Sequence, residues 1–393
     1  MFEDRGRRLR ERLRWIALLL GLVLVASFLL CAHQDEPRAP QASLSVAGAL
    51  RAADDRGYAK ALAPRDFVFP ADHGPHPEFR TEWWYFTGNL ATREERRFGF
   101  QLTFFRSALA PAMPPRESAW AARQAWLAHF TVSDVAGGRF HSFERWSRGA
   151  IGLAGAQAVP FRVWLQDWSA AADGGRVFPL RLRASQGEVG IDLLLRQGKP
   201  PALQGDRGLS RKSAEPGNAS YYYSLTRMPA AGTVRVGEER LTVSGTAWMD
   251  REWSTSVLGP DQVGWDWFSL QLSDGSELML YRLRRRDHSA DPASSGTAIG
   301  PSGATRRLGL DDFEIEATDP WESPRSKARY PARWRLLVPS EQLDLTVTPL
   351  LADQELDVSF RYWEGAVGIE GTRAGRPVGG KGYVELTGYT QPP

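Results

Sequence analysis

From Asp66 onward the apolar residues recur at every second position, the period of strands with one covered face. Phe100, Leu102 and Phe104 alternate with Gln101, Thr103 and Phe105. Trp126, Ala128, Phe130 and Val132 share one face, which leaves Leu127, His129 and Thr131 on the other. Val189, Ile191, Leu193 and Leu195 repeat the habit, as do Leu241/Val243, Phe268/Leu270/Leu272, Trp334/Leu336/Val338, Leu343/Leu345/Val347 and Leu356/Val358/Phe360. Gly137-Gly138, Gly174-Gly175, Asp274-Gly275 and Gly379-Gly380 punctuate these runs. Asp274-Gly275 predicts a hairpin with a primed turn. One short helix is expected over 117–124, rich in Ala and Arg. The fold class is therefore all-β, with each half long enough for one barrel that can hold a small ligand inside. Glu82-Trp83-Trp84-Tyr85-Phe86 is echoed by Trp265-Asp266-Trp267-Phe268, which supports two related units. The Met-Pro-Ala-Ala-Gly-Thr stretch at 228–233 reads as their boundary, giving domains at 66–228 and 233–390.

The front of the chain has another pattern. Residues 15–32 run without a charge from Trp15 to Ala32. That length just suffices for a helix across a bilayer core. Six arginines precede it, so the positive-inside rule puts the body on the periplasmic side. Retention as an inner-membrane anchor, cleavage as a signal peptide and lipidation at Cys31 are the three fates this segment allows. Leu30 before Cys31 and the Leu30-Cys31-Ala32 tripeptide suit neither cleavage nor lipidation well. Residues 33–65, rich in Ala, Pro, Asp and Arg, read as a linker.

Charge narrows the partners. The chain carries 49 Lys and Arg against 46 Asp and Glu. The arginines of residues 1–14 account for the whole excess, and the remainder is neutral. A neutral body lacks the footprint of a nucleic-acid binder, so none is expected. One Cys excludes an intramolecular disulfide and a Cys-based zinc site. Fifteen Trp make aromatic walls the first place to look for a ligand.

Three clusters hold candidate chemistry. Trp248-Met249-Asp250-Arg251-Glu252-Trp253, followed by Trp265-Asp266-Trp267, places carboxylates among indoles. Desolvation there raises a carboxyl pKa and can make it a proton donor near neutral pH. The competing reading is an Asp–Arg–Glu ion network that pins strands. Asp72, His73, His76 and Glu78 could ligate a metal, but interleaved prolines favour an ordered loop. His129 is either a satisfied core histidine or a polar group aimed into a cavity. Tyr221 and Tyr223 should face one way and Tyr222 the other. No nucleophile elbow, phosphate-binding loop, dinucleotide fingerprint or zinc-protease motif occurs, and no cofactor is expected.

Taken together the segments resemble the lipocalin-like family of carotenoid 1,2-hydratases and AttH-like exported proteins, many of them labelled secreted hydrolases. The resemblance rests on stretches 69–74, 82–88, 99–106, 128–129, 203–205, 220–224, 245–250, 264–268, 362–367 and 382–389. It implies two lipocalin-like β-barrel domains. For the hydratases it implies cofactor-free, acid-catalysed addition of water to an isoprenoid double bond. Their Asp-His-x-Trp pattern falls on Asp250-Arg251-Glu252-Trp253, with Arg251 where the His should be. A guanidinium cannot shuttle a proton. Asp266 and Tyr281 are the nearest counterparts of the family's further acid and phenol. Three functions follow. The first is an exported carrier of a hydrophobic lipid or isoprenoid, with Trp84, His129, Tyr222, Arg251, Trp253, Trp265 and Trp267 as binding residues. The second is a hydratase using Asp250, Asp266 and Tyr281. The third is an envelope protein that engages a membrane permease.

Overall fold

The computed structural model describes residues 55–111, 122–256 and 258–389, all within one unit, Ser43–Pro393. The apolar run at 15–32 lies outside the described residues, as does most of the helix expected at 117–124, whose Gln124 opens a strand. The period-two runs become strands, and the described helical structure is confined to three single 3-10 turns. The first sheet holds β1 (Thr81–Ala91), β2 (Arg97–Ala108), β3 (Gln124–Asp134), β4 (Arg139–Arg148), β5 (Ala154–Gln157), β6 (Arg162–Leu165), β7 (Trp168–Ala172), β8 (Leu180–Gln186), β9 (Val189–Leu195), β10 (Ala202–Leu203), β11 (Leu209–Arg211), β12 (Ala219–Val236) and β13 (Glu239–Ser254). Its order is β4-β3-β2-β1-β13-β12-β9-β8-β7-β6-β5, with β10 and β11 beside β12.

The second sheet holds β14 (Gln262–Leu272), β15 (Glu277–Arg285), β16 (Ser295–Ile299), β17 (Thr305–Gly309) and β18 (Glu314–Ala317). After a small ribbon of β19 (Pro320–Glu322) and β20 (Arg329–Pro331), it continues with β21 (Trp334–Val338), β22 (Leu343–Pro349), β23 (Glu355–Leu356), β24 (Tyr362–Arg373) and β25 (Arg376–Leu386). Its order is β17-β16-β15-β14-β25-β24-β22-β21-β18, with β23 beside β24. The run expected at Leu356/Val358/Phe360 stops as a strand at Leu356.

The two sheets repeat one plan. In each, the first long strand lies between its hairpin partner and the sheet's last strand: β1 between β2 and β13, β14 between β15 and β25. The echoed Trp segments are these two first strands. Each sheet curls over its own core; β6, for example, packs back on β2, β3 and β4. Both interiors are filled by side chains, the first around Trp84, Phe100, Phe130 and Trp168, the second around Phe268, Leu345, Trp334 and Trp363. The hollow barrels suggested by size alone are therefore solid.

Two further expectations are corrected. The stretch 228–233 is not a boundary but the interior of β12; the chain passes between sheets after Ser254 and before Gln262. The ladder shifts register between Leu225 and Met228, just before Pro229, which pairs with Thr246, and Gly232 serves a close approach, where a Cβ would strike the carbonyl of Asp192. The β14–β15 hairpin forms, but its connection is four residues, 273–276. Gly275 alone takes a positive φ, 84°, while Asp274 accepts the amide of Ser276 at 3.0 Å.

The sheets meet through the faces turned away from their cores. Tyr85, Tyr222, Trp248, Trp267, Met279 and Tyr383 form the buried layer between them. A Cβ on Gly99 would come 2.5 Å from that of Ala366, so the sheets touch closely there. Lys199 and Arg227 of the first unit both pair with Glu277 of the second.

An ion cluster closes one end of the first barrel. Glu82 on β1 is fully buried and pairs with Arg106 on β2 and Arg251 on β13. The guanidinium groups also donate to loop carbonyls, Arg106 to Phe79 at 2.7 Å and Arg251 to Gly74 at 2.6 Å. They hold the 69–80 loop across the barrel mouth. Burial opposes the Glu82 charge, but Arg251, a hydrogen bond from His76 and Arg106 outweigh it and hold the carboxyl well below its ordinary range. Glu82→Gln removes the shared partner of two buried cations, a loss worth about 3–5 kcal/mol. Denaturant unfolding should show a drop of that order; an unchanged midpoint would show that the cluster adds nothing.

Candidate functional site between the barrels

Alternation along a strand sends neighbouring residues to opposite faces. Where both faces are covered, one set enters a barrel core and the other enters the layer between barrels. On β13, Arg251 and Trp253 point into the first barrel while Asp250 and Glu252 reach the layer. On β1, Trp84 goes inward and Trp83 and Tyr85 outward. On β14, Trp265 and Trp267 face the layer. Tyr222 parts from Tyr221 and Tyr223 as expected, and His129 from Trp126 and Phe130.

The layer contains a cavity of about 190 Å³. Trp83, Tyr85, Phe105, Trp265, Trp267 and Leu283 give it apolar walls. Trp146, 49% exposed, marks the side where it meets solvent. Of the sequence-predicted residues, Asp250, Tyr281, His129, Tyr222, Trp265 and Trp267 line it. Four do not. Asp266 turns away and is held by Arg282 and Arg284 at 2.6 and 3.0 Å and by the Tyr389 hydroxyl at 2.9 Å. Trp84 lies in the first barrel, its indole N–H donating to the carbonyl of His73 at 2.8 Å. Arg251 sits 3.9 Å over Trp84 within the Glu82 cluster. Trp253 stacks on His76 at 3.8 Å.

Asp250 is the centre of the polar wall. The Tyr222 hydroxyl donates to one oxygen, and Ser224 and the Trp248 indole N–H, at 2.7 Å, to the other. Trp267 donates to the Tyr222 oxygen at 3.1 Å. Burial pushes the Asp250 pKa up to about 7 against those hydrogen bonds. Glu252 is instead neutralised by Lys212 at 2.9 Å. Burial works against the ammonium, and Glu252 outweighs it, so the Lys212 pKa is raised. Tyr281 exchanges hydrogen bonds with Ser210 and Ser295 at 3.0 and 2.9 Å.

A second acid group faces the first. Glu385 on β25 lines the cavity and accepts from the Trp265 indole at 3.1 Å. Directly across the ladder stands Glu364 on β24, fully buried. Neither Glu364 oxygen nor the Tyr85 hydroxyl makes a hydrogen bond of normal geometry. Burial raises both carboxyls, and the charge of Glu385 pushes Glu364 further. His129 is occupied, its Nδ1 with the Tyr362 hydroxyl at 2.7 Å and its Nε2 with Glu144 at 3.2 Å.

Trp83, Tyr85, Lys212, Glu252, Glu364 and Glu385 were not foreseen as site residues. Parity with Asp250 marks Glu252, and opposition to Trp84 marks Trp83 and Tyr85. Lys212 sits on a loop without periodicity, and nothing local marks it. In the 69–80 loop, His73 bonds the Tyr223 hydroxyl at 2.6 Å and His76 bonds Asp72 at 3.1 Å. Among the described residues no group of three His, Cys, Asp or Glu is placed to hold a metal ion.

The raised Asp250 pKa has a consequence for stability. Between its ordinary value of 3.8 and about 7, the unfolded chain loses this proton while the folded chain keeps it. Folding is thus penalised progressively as pH rises through that window, and the penalty stays above it. Asp250→Asn carries no such penalty. Its thermal stability relative to the parent should rise by a few kcal/mol between pH about 4 and about 8. A constant offset across that range would show that Asp250 titrates normally.

Comparison with known proteins agrees with this architecture. A family model described as AttH-like matches residues 60–389. The crystal structure of a Nitrosomonas europaea protein assigned to AttH is 36% identical, superposes with a TM-score of 0.75, and is covered over 99% of its length by 84% of this chain. Kievitone hydratase from Nectria haematococca has the same fold at 16% identity and a TM-score of 0.66, over 85% of this chain and 97% of that one. No curated protein matches. The chain belongs to the AttH-like family.

Proposed function

We propose that this protein binds an apolar small molecule in the cavity between its two barrels. The observation that carries the reading is the contrast between solid barrel interiors and an aromatic-walled space between them. About 190 Å³ is somewhat more than the cavity of roughly 150 Å³ that takes a benzene ring. A ring or branched hydrocarbon end fits inside, and the rest of a longer molecule leaves past Trp146. The apolar run at 15–32 and its arginine flank support work beyond the inner membrane, at an anchored position.

A second reading is favoured by Asp250. A carboxyl with a pKa near 7 is both protonated and able to give its proton up at neutral pH. Asp250 would protonate an alkene carbon, the indole and phenol faces would stabilise the tertiary cation, and water would add to it. The proton released from that water returns to the Asp250 carboxylate, so no cofactor is consumed. Asp266 takes no part, because it faces away, whereas Tyr281 stays within the cavity. The likeness to a hydratase supports the fold; the chemistry rests on Asp250.

Ala125 lies on the cavity wall and outside both cores. Ala125→Trp should fill the space and weaken binding of an apolar fluorescent probe at least about tenfold, or about 1.4 kcal/mol. Equal affinity would place the probe elsewhere. Under the hydration reading, Asp250→Asn should lower turnover of an isoprenoid alkene by about 10²–10⁴-fold with the fold retained. Undiminished product would remove Asp250 from the reaction.

A further inference from the structure

Ten acids are buried among the described residues, and eight have a cation within 4.0 Å. Glu82 has two arginines, Asp266 two, and Glu277 an arginine and a lysine. The two without one are Asp250 and Glu364. Asp250 lines the cavity, and Glu364 stands behind Glu385, a third carboxyl on the wall with no cation near it. Among the described residues no arginine lines the cavity, and the one ammonium there, Lys212, is already engaged by Glu252. Among the described residues, the buried acids that lack a cation are found only around this space.

We propose that the cavity is built for positive charge, and that its ligand is an apolar molecule carrying a cationic centre, a tertiary amine or quaternary ammonium. The inference rests on the reading that the cavity takes an apolar ligand, and it names the class. The walls suit it independently of the acids. Trp83, Trp265, Trp267 and Tyr85 line it with aromatic rings, the kind of group whose π face attracts a desolvated cation, and the Lys212 ammonium already lies over the Tyr222 and Tyr281 rings at 5.5 and 4.6 Å. The Tyr85 hydroxyl is buried on the wall beside Glu364. The same field would stabilise a carbocation, so the two readings above share one electrostatic basis.

Proton and ligand compete for the same carboxyls. In the empty site burial favours the protonated acids. A cation entering the site takes the place of a proton, so binding strengthens as pH rises and a proton is released. The other titratable groups facing the space do not share this behaviour. Lys212 and Glu252 satisfy each other, and His129 is held by Glu144 and Tyr362. Tyr85, Tyr222, Tyr362 and Tyr383 remain phenols, because burial raises each above its ordinary value, and Tyr281 spends its hydroxyl on two serines.

Isothermal titration of the full chain with benzyltrimethylammonium and with its neutral carbon isostere, neopentylbenzene, tests this. The ammonium should bind at least about tenfold more tightly at pH about 8. The preference should shrink at pH about 5, and the heat at pH 8 should depend on buffer ionisation, the mark of proton release. Glu385→Gln should draw the ammonium's affinity towards that of the isostere. Equal or tighter binding of the isostere at both pH values overturns the inference and leaves the apolar cavity standing. Failure of both probes to bind overturns the cavity reading and the inference with it.

Discussion

Strands covered on both faces are the constraint on which this molecule depends. β1, β13, β14 and β25 lie mid-sheet, and each packs one face into its own barrel and the other against the opposite unit. The stretches 82–90, 247–254, 266–272 and 382–386 of these strands are almost wholly buried, so each polar group there must find a partner or change its protonation. The alternation then sorts chemistry with a resolution of one residue. Glu82, Arg251 and Asp266 point to barrel interiors, and their charges are matched within hydrogen-bond distance. Asp250, Glu364 and Glu385 point to the layer between barrels, and none of the three has a cation within 4.0 Å among the described residues.

Two kinds of buried carboxyl therefore pull stability in opposite directions with pH. Glu82 is held ionised by two guanidinium groups, so its contribution fades in acid as that carboxyl becomes protonated. Asp250 is held protonated by burial, so its cost grows towards neutrality. The first kind fastens a loop to a barrel mouth and is structural. The second stores unfavourable electrostatic energy beside an open space, which is where a ligand or a developing cation can relieve it. That contrast, rather than the number of acids, separates the site from the scaffold.

The fold and the facing of residues were largely legible in the sequence. Period two gave the strands, split the Tyr221-Tyr222-Tyr223 run correctly, and set His129 apart from Trp126 and Phe130. The repeated Trp segments turned out to occupy the same place in both sheets. The location of the cavity was not legible, because periodicity says which residues share a face but not what lies against that face. Hence the barrels were expected to be hollow. Asp250, Arg251, Glu252 and Trp253 are contiguous in sequence, but the alternation that separates the tyrosines also sends 250 and 252 to the cavity and 251 and 253 into the first barrel. Glu364 and Glu385 became opposite neighbours through the β24–β25 hairpin, whose register is set by the two-residue Ala374-Gly375 turn, a weaker sequence signal than Asn-Gly or Asp-Gly. The false boundary at 228–233 arose because a strand that follows a bulge and lies close to its neighbour's backbone can carry the same Pro and Gly as a turn.

The same geometry changes the meaning of Arg251. Set against the hydratase pattern, an arginine in place of histidine argues against proton transfer. Yet position 251 looks into the first barrel, where the guanidinium binds Glu82 and the Gly74 carbonyl and lies over Trp84. Its neighbours 250 and 252 look into the cavity. A side chain at 251 cannot reach the cavity without reversing the strand's pleat, which would carry Asp250 and Glu252 inward and leave Glu82 with Arg106 alone. The residue type at 251 therefore bears on how the 69–80 loop is fastened. Whether the cavity can donate a proton is decided one residue earlier, by the desolvation of Asp250.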